Sequence, residues 1–232
     1  MTELNWPPGT RPQRPAKVPL SRPEIVRTAL TIVRAEGIDA VSMRRVAAEF
    51  DTGPSSLYAH VRNKDELLAL MFDEVCGEVE VPELDASRWK EQVKDLARAG
   101  HAAMLRYNDL ARAALATIPT GPNALRISNA MFGMMLAGGI PPRISAWAMD
   151  RIFLYLTADA YEYSIWGPNS RPQSIEALGA NVLAYFKQLP ADVYPHVVKH
   201  ADALVGGSND ERFNLGLELL VDGLDKYATP PP

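Results

Sequence analysis

Apolar residues recur at three- and four-residue intervals along nearly the whole of this chain, and nowhere do they alternate as a half-buried strand requires. That periodicity confines the fold to packed helices, and the punctuation between the runs sets their ends. Ser21 and Glu24 make a capping-box pattern ahead of Ile25, Ala29, Ile32 and Val33. Pro23 falls in the first turn, where its missing N–H is not needed, and Gly37 stops the run. Ser42 is expected to cap a second helix with Met43, Val46, Ala47 and Phe50 on its apolar face. After Asp51-Thr52-Gly53, Pro54 opens a third that carries Leu57 and Val61 inward. Asn63 caps a fourth, striped by Leu67, Leu68, Met71, Phe72 and Val75, which fades at Gly77. Further helices are expected from Trp89 to Leu105, Ala111 to Ile118, an Asn123 cap to Gly138, Pro141 or Pro142 to about Ser164, Ser174 to Gln188, and Asn209 to Tyr227. The fold class is all-α.

Charge divides the chain. Residues 11–64 hold ten Lys/Arg against five Asp/Glu, whereas residues 65–232 hold fourteen against twenty-two. A basic head on an acidic body suggests a polyanion-binding module joined to a part that binds something else. The expected organisation is a disordered Pro/Arg-rich arm (1–20), a helix-turn-helix DNA-binding domain (21–64) and a helical ligand-binding and dimerisation domain (65–228). The arm is either a solubilising tail or a basic strand that touches phosphates or a minor groove.

The spacing of the second and third helices suits a helix-turn-helix, which needs a tight turn and a last helix with its outer face free for the major groove. Ala47 is small where two helices must approach, and Leu57 packs back beneath them. Ser55, Ser56, Tyr58, Ala59 and His60 are left for the outer surface. Arg44 and Arg45 stand in the first turn of the second helix, where a cation opposes the helix dipole. That placement makes sense beside a phosphate or base edge. Lys64 can close on the backbone from the other side.

The string Leu57-Tyr58-Ala59-His60-Val61-Arg62-Asn63-Lys64-Asp65-Glu66-Leu67, following Ser42-Met43-Arg44-Arg45-Val46-Ala47, closely resembles the tetracycline-repressor (TetR/AcrR) family of bacterial transcription regulators. Gly121 to Leu125, Asp210 to Leu217 and Asp222 to Leu224 look like segments of that family's ligand-binding, dimerising half. The resemblance implies that Arg44 contacts a base or phosphate, that Ser55 and Ser56 face the groove, and that Tyr58, His60 and Lys64 hold phosphates. Arg45 and Pro54 belong to the same expected DNA-binding set. The bland alternatives are a rim-packing Tyr58, a helix-capping His60 and a solvated Arg44. Two residues depart from the family pattern. Asp51 stands where glycine is usual, and it tolerates the left-handed conformation better than most residues. Gly53 stands where Ser or Thr usually caps the reading helix, so a phosphate contact is expected to pass to Thr52 or Ser55.

The resemblance also implies a homodimer reading a pseudo-palindromic operator in double-stranded DNA, since one small module reads too few bases for genomic specificity. The seam is expected on Ile144–Tyr163 and Phe213–Leu224, unless both are merely core. Candidate ligand-binding residues are His101, Met104, Tyr107, Met131, Met134, Met135, Trp147, Phe153, Tyr155, Asp159, Glu162 and Trp166. Aromatic and Met-rich helices suit an apolar or planar effector, although the same spacing describes ordinary core. Asp159 and Glu162 are acids within an apolar helix. They face a cavity that takes a cation or amine, or they are exposed or paired across a dimer.

Other classes are disfavoured. A single cysteine, Cys76, rules out an intramolecular disulfide and a multi-cysteine zinc site, and it reads as a small core residue. His196 and His200 have helical metal spacing but no third ligand, so no metal is expected. No cofactor is expected either. There is no G-x-S-x-G, no phosphate-binding Gly loop and no nucleophile beside a base, so the chain does not read as an enzyme. No apolar run approaches the length that crosses a bilayer and no signal peptide is evident, which makes the cytoplasm the default and a membrane partner unexpected. The leading reading is a dimeric repressor released from its operator by a small molecule. The alternatives are an all-α small-molecule binding protein or enzyme with an incidental basic head, and an activator or constitutive DNA-binding protein without a ligand.

Overall fold

The computed structural model describes residues 20–107, 109–115, 118–166 and 175–228, the side chains of Trp166 and of 175–177 excepted. The expected arm lies outside these residues apart from Leu20, which packs half-buried on the core. Every regular element among the described residues is helical. The basic head comprises α1 (Arg22–Glu36), a 3-10 turn (Ile38–Ala40), α2 (Met43–Glu49) and α3 (Pro54–Leu57). Then follow α4 (Lys64–Gly77), α5 (Trp89–Leu105), α6 (Leu110–Leu115), α7 (Pro122–Ala137) and α8 (Pro142–Trp166). The chain ends in α9 (Ile175–Gln188), α10 (Pro195–Lys199), α11 (Ala201–Val205) and α12 (Asn209–Asp222), with a closing 3-10 turn over Gly223–Tyr227.

The head forms where its caps say it should. Ser42 Oγ accepts from the Arg45 N–H at 3.1 Å and Asn63 Oδ1 accepts from the Glu66 N–H at 2.8 Å. Ser21 Oγ accepts more weakly from Glu24 N–H at 3.4 Å, and Glu24 turns to pair with Arg27, so only half of the expected capping box forms. Ile25, Ala29 and Val33 of α1 meet Val46, Ala47, Leu57, Val61 and Leu67 in a core without solvent access, and that core continues through Met71 of α4 into the larger part. The reading helix is shorter than its apolar spacing predicts. It is helical only to Leu57, and Val61 is delivered inward by a turn whose N–H groups at His60 and Val61 both donate to the Leu57 carbonyl at 2.9 Å.

Two other expectations are corrected. Asn123 does not cap α7. Gly121 is the N-cap and Pro122 takes the first position, while the acceptor comes from another helix. The Asp73 carboxylate of α4 accepts from the backbone N–H groups of Asn123 and Ala124, each at 3.0 Å, and from the Asn123 amide at 3.3 Å. A methyl group on Gly121 would collide with that carboxyl, so glycine is what lets the two helices meet here. In return Arg126, one turn into α7, donates to the Cys76 and Val79 carbonyls at the end of α4, at 3.3 and 2.8 Å. Each helix thus caps the other's terminus. The second correction is that α10 and α11 fill a stretch for which no helix is expected from the sequence. The run expected to reach Ile118 is helical over Leu110–Leu115, residues 116 and 117 lie outside those described, and the terminal run gives way to the 3-10 turn after Asp222.

Candidate nucleic-acid interface and cavity

The turn that presents α3 is set by Asp51, whose φ of 51° is left-handed. Gly53 is extended at φ −83°, supplies no side-chain cap, and hands over to Pro54. Thr52 and Ser56 share a hydrogen bond at 2.8 Å across the start of the helix, leaving Ser55 exposed in front of them. Tyr58 is 52% exposed, its ring open to solvent. His60 is half-buried, and its carbonyl accepts from Arg22 Nε at 3.0 Å, which ties the end of the reading segment to the start of α1. Lys64 opens α4 and is exposed.

The two adjacent arginines are not equivalent. Arg44 is exposed and makes no hydrogen bond or ion pair with any described residue. Arg45 is held between Glu36, at 2.7 Å, and Glu49, and these carboxylates stabilise its charged form further. Arg45 therefore clamps the end of α1 to α2, whereas Arg44 is available to an incoming polyanion.

Beneath the head lies a joint that contains Tyr107, one of the expected ligand residues. Its ring is buried under the Arg34 guanidinium, 4.2 Å from the ring centroid. Arg34 donates to its hydroxyl at 2.6 Å, and that hydroxyl donates to Glu78, which also pairs with Arg106. Burial pushes the Glu78 carboxyl up, but the hydrogen bonds from Tyr107 and Arg106 outweigh it and hold the group below the usual carboxylate range. Arg112 of α6 pairs with Asp39 of the head, and its hydrogen bond holds that carboxyl below the usual carboxylate range in the same sense. Tyr107 is thus a strut between head and body and does not line the cavity.

That cavity has a volume of about 80 Å³. Its walls are Phe72, Val75 and Cys76 of α4 with Val79 beyond it, Leu96, Gly100, Ala103 and Met104 of α5, Ile127, Ser128 and Met131 of α7, and Met149, Phe153 and Leu156 of α8. Met104, Met131 and Phe153 are expected ligand residues that the fold brings together. The remaining wall residues escape sequence reasoning, because a cavity wall and a solid core share the same helical spacing. No charged side chain lines the space, which suits a neutral, largely apolar guest. Burial raises the Cys76 thiol to about 12, so it is an inert wall residue and no nucleophile.

The other candidates lie elsewhere. His101 Nε2 and Asp159 Oδ2 are 2.7 Å apart, the histidine buried and the carboxylate partly so, and Asp159 is thus already partnered within the fold. The His101 ring stacks on Phe213 of α12 at 4.0 Å between centroids, and Tyr155 stacks on Phe213 at 5.5 Å. Gly216 leaves room for Tyr155, whose hydroxyl donates to the Arg212 and Phe213 carbonyls at 3.2 and 3.0 Å. This aromatic stack joins α5, α8 and α12. Met134 and Met135 are fully buried but outside the cavity wall. Glu162 is exposed beside a separate cleft of about 440 Å³ against α9 and α11. Trp147 is 59% exposed beside a groove of about 350 Å³ between α8 and α12. The backbone of Trp166 ends α8, and its side chain lies outside those described. Among the described residues no group of His, Cys, Asp and Glu is arranged to hold a metal, and no helix is long and apolar enough to cross a membrane.

Residues 25–71 match the model for bacterial regulatory proteins of the tetR family, and residues 81–228 match the tetracyclin repressor-like C-terminal domain. The chain is 32% identical to the HTH-type transcriptional repressor DrrR1 of Streptomyces coeruleorubidus, over 96% of this chain and 84% of the relative. It is 24% identical to the class G tetracycline repressor of Vibrio anguillarum, over 89% of this chain and 94% of that one. Among solved structures, the TetR family protein ActR of Streptomyces coelicolor in complex with actinorhodin superposes with a TM-score of 0.85. That chain is 41% identical, with 92% of this chain and all of that chain covered.

Proposed function

Because the chain belongs to the tetracycline-repressor family of bacterial regulatory proteins, we propose that it represses transcription as a homodimer on a pseudo-palindromic operator and is released by a neutral, largely apolar small molecule. One observation carries this reading. Helix α4 begins with the exposed Lys64 directly after the helix-turn-helix head and, within the same 14 residues, places Phe72, Val75 and Cys76 in the cavity wall. A guest that widens the cavity pushes on the element that aims the reading head.

Arg44, Ser55, Tyr58 and Lys64 form the DNA-contacting set, with Thr52, Pro54, Ser56 and His60 shaping the helix that carries them. The head spans 21–64 and the effector and dimer part 65–228. The outer faces of α8 and α12 make the seam. Trp147, Leu215, Leu219 and Tyr227 are 59%, 58%, 69% and 42% exposed on α8, α12 and the turn that closes α12, large apolar side chains that a second copy would cover. The chain works in the cytoplasm, where the operator is, and catalyses nothing.

A cavity of about 80 Å³ is smaller than the roughly 300–1,000 Å³ of drug-sized sites. Entry therefore requires the walls to move. Met104, Met131 and Met149 are unbranched side chains suited to that. A mobility-shift assay on the DNA upstream of the chain's own coding sequence tests the reading, with 9,10-anthraquinone, a neutral, flat and largely apolar compound, as the first ligand titrated. Salt-sensitive, sequence-preferring binding that anthraquinone weakens supports it. Binding that does not discriminate between that DNA and random sequence refutes it.

A further inference from the structure

Thr157 lies on α8 with no solvent exposure, and its Oγ1 is the one buried side-chain oxygen or nitrogen among the described residues that has no hydrogen-bond partner. A helical threonine usually bonds the carbonyl one turn back, and this one does not. Leaving a buried hydroxyl unpaired forfeits the hydrogen bonds it made to water. Valine has the same shape without that cost, so packing alone favours valine here.

The position of Thr157 gives the hydroxyl a use. It follows Leu156 directly and stands one turn beyond Phe153, both of which line the cavity. Residues four apart lie on one helix face, so Thr157 follows Phe153 on the same side of α8. Phe153 is itself only half-buried and meets Phe72 edge-on, with centroids 6.0 Å apart. An effector too large for the present volume enlarges the space by displacing wall side chains. Turning Phe153 aside extends the cavity along α8 to Thr157. Across the space, Ser128 of α7 offers the one hydroxyl of the wall as it stands.

We propose that Thr157 is the polar anchor of the enlarged effector site, donating its hydroxyl hydrogen to a carbonyl oxygen on a flat, uncharged, otherwise apolar molecule. The inference rests on the effector reading above and assigns its ligand class. The cost borne by the unpaired hydroxyl is recovered when the carbonyl arrives. A ligand without an acceptor recovers nothing, so this residue sets specificity more than it sets overall affinity.

Two isosteric pairs make the test. 9-Fluorenone and fluorene share one three-ring skeleton and differ by a carbonyl, and Thr157→Val removes the hydroxyl at constant shape. Dissociation constants for both compounds are measured by calorimetry on the full-length wild-type and Thr157→Val proteins, with thermal melting of each. The expected result is that wild type prefers fluorenone, that Thr157→Val weakens fluorenone about tenfold while leaving fluorene unchanged or slightly tighter, and that the variant melts no lower than wild type. Equal effects on the two compounds, no effect on either, or no preference for fluorenone in wild type overturns the assignment of Thr157 while leaving the cavity as the effector site. If wild type binds neither compound, the flat-ligand class falls together with the assignment, and operator binding remains as a separate result.

Discussion

Arg44 and Arg45 are neighbours of the same charge, yet the structure gives them different work, and DNA binding can tell them apart. Arg45 is held by Glu36 and Glu49, whereas Arg44 is exposed and pairs with no described residue. Each phosphate neutralised in B-DNA contributes about −0.9 to the slope of log K against log salt, so a symmetric dimer that loses one Arg44 contact per protomer loses about 1.8 of slope. Between about 50 and 200 mM salt, a difference of 1.8 amounts to roughly twelvefold in relative affinity. If Arg44 reaches a base instead, the cost is about 1–3 kcal/mol per half-site, concentrated at one position of the operator. Arg45→Ala removes an ion pair whose three side chains are all a third or more exposed. It should lower stability by less than about 1 kcal/mol and leave the salt slope nearly intact. Fluorescence anisotropy on an operator fragment across a salt series measures the slopes, and thermal melting measures stability. Arg44→Ala should flatten the slope without moving the melting temperature, and Arg45→Ala should do neither to any large extent. A flattening by Arg45→Ala equal to that by Arg44→Ala would refute the idea that its carboxylate partners withhold it from DNA.

Asp73→Ala leaves the N–H groups of Asn123 and Ala124 without their acceptor and removes a carboxylate from a helix N-terminus, a loss of about 1–2 kcal/mol. For a chain of this size that corresponds to a fall of about 2–8 °C in a melting scan, and a shift below 1 °C would show that the cross-helix cap carries no stability. Leu219→Glu with Trp147→Glu places charge on two of the most exposed apolar positions of the α8 and α12 face. Sedimentation should then show a monomer with its helical content retained and its operator affinity reduced, whereas an intact dimer would place the seam elsewhere.

The head is the most legible part of this chain because its determinants are local. Ser42 and Asn63 each cap a backbone N–H three residues on, and Asp51 takes the left-handed conformation its position requires. Sequence spacing carries such interactions directly. The larger part is held by long-range partners, and there local rules misplace residues. Asn123 has the composition of a cap, but the acceptor for this helix start is Asp73, fifty residues earlier. Tyr107 is an aromatic near the end of a helix that suits a ligand, yet Arg34 and Glu78 draw it into the joint below the head. Trp147 shares its helix with Phe153, and nothing in their spacing shows that one faces the outer groove and the other the cavity. The short helices α10 and α11, of five residues each, are below the length at which apolar periodicity identifies a helix. Only Met104 and Met131 of the expected ligand set, with Phe153, line the cavity, since wall and core differ by where a void lies and not by residue type.

The small size of that void bears on how a ligand switches the head. Turning a population from 1:99 to 99:1 takes about 5.5 kcal/mol of differential binding between two arrangements. A preformed cavity that fits its ligand equally well in both supplies none of it, however tight the binding. Here the volume of about 80 Å³ excludes a drug-sized molecule from the arrangement seen, so nearly all of the binding energy falls on the widened one. At about 25 cal/mol per Å², roughly 220 Å² of newly buried apolar ligand surface meets the requirement, which is about the area of one large aromatic side chain. The widening cannot stay local. Phe72, Val75 and Cys76 belong to the helix whose first residue is Lys64, and α4 is bound at its other end by the Arg126 guanidinium to the same α7 that carries Ile127, Ser128 and Met131 in the opposing wall. Separating those walls moves α4 against the caps that hold it, and the reading head moves with its own last support.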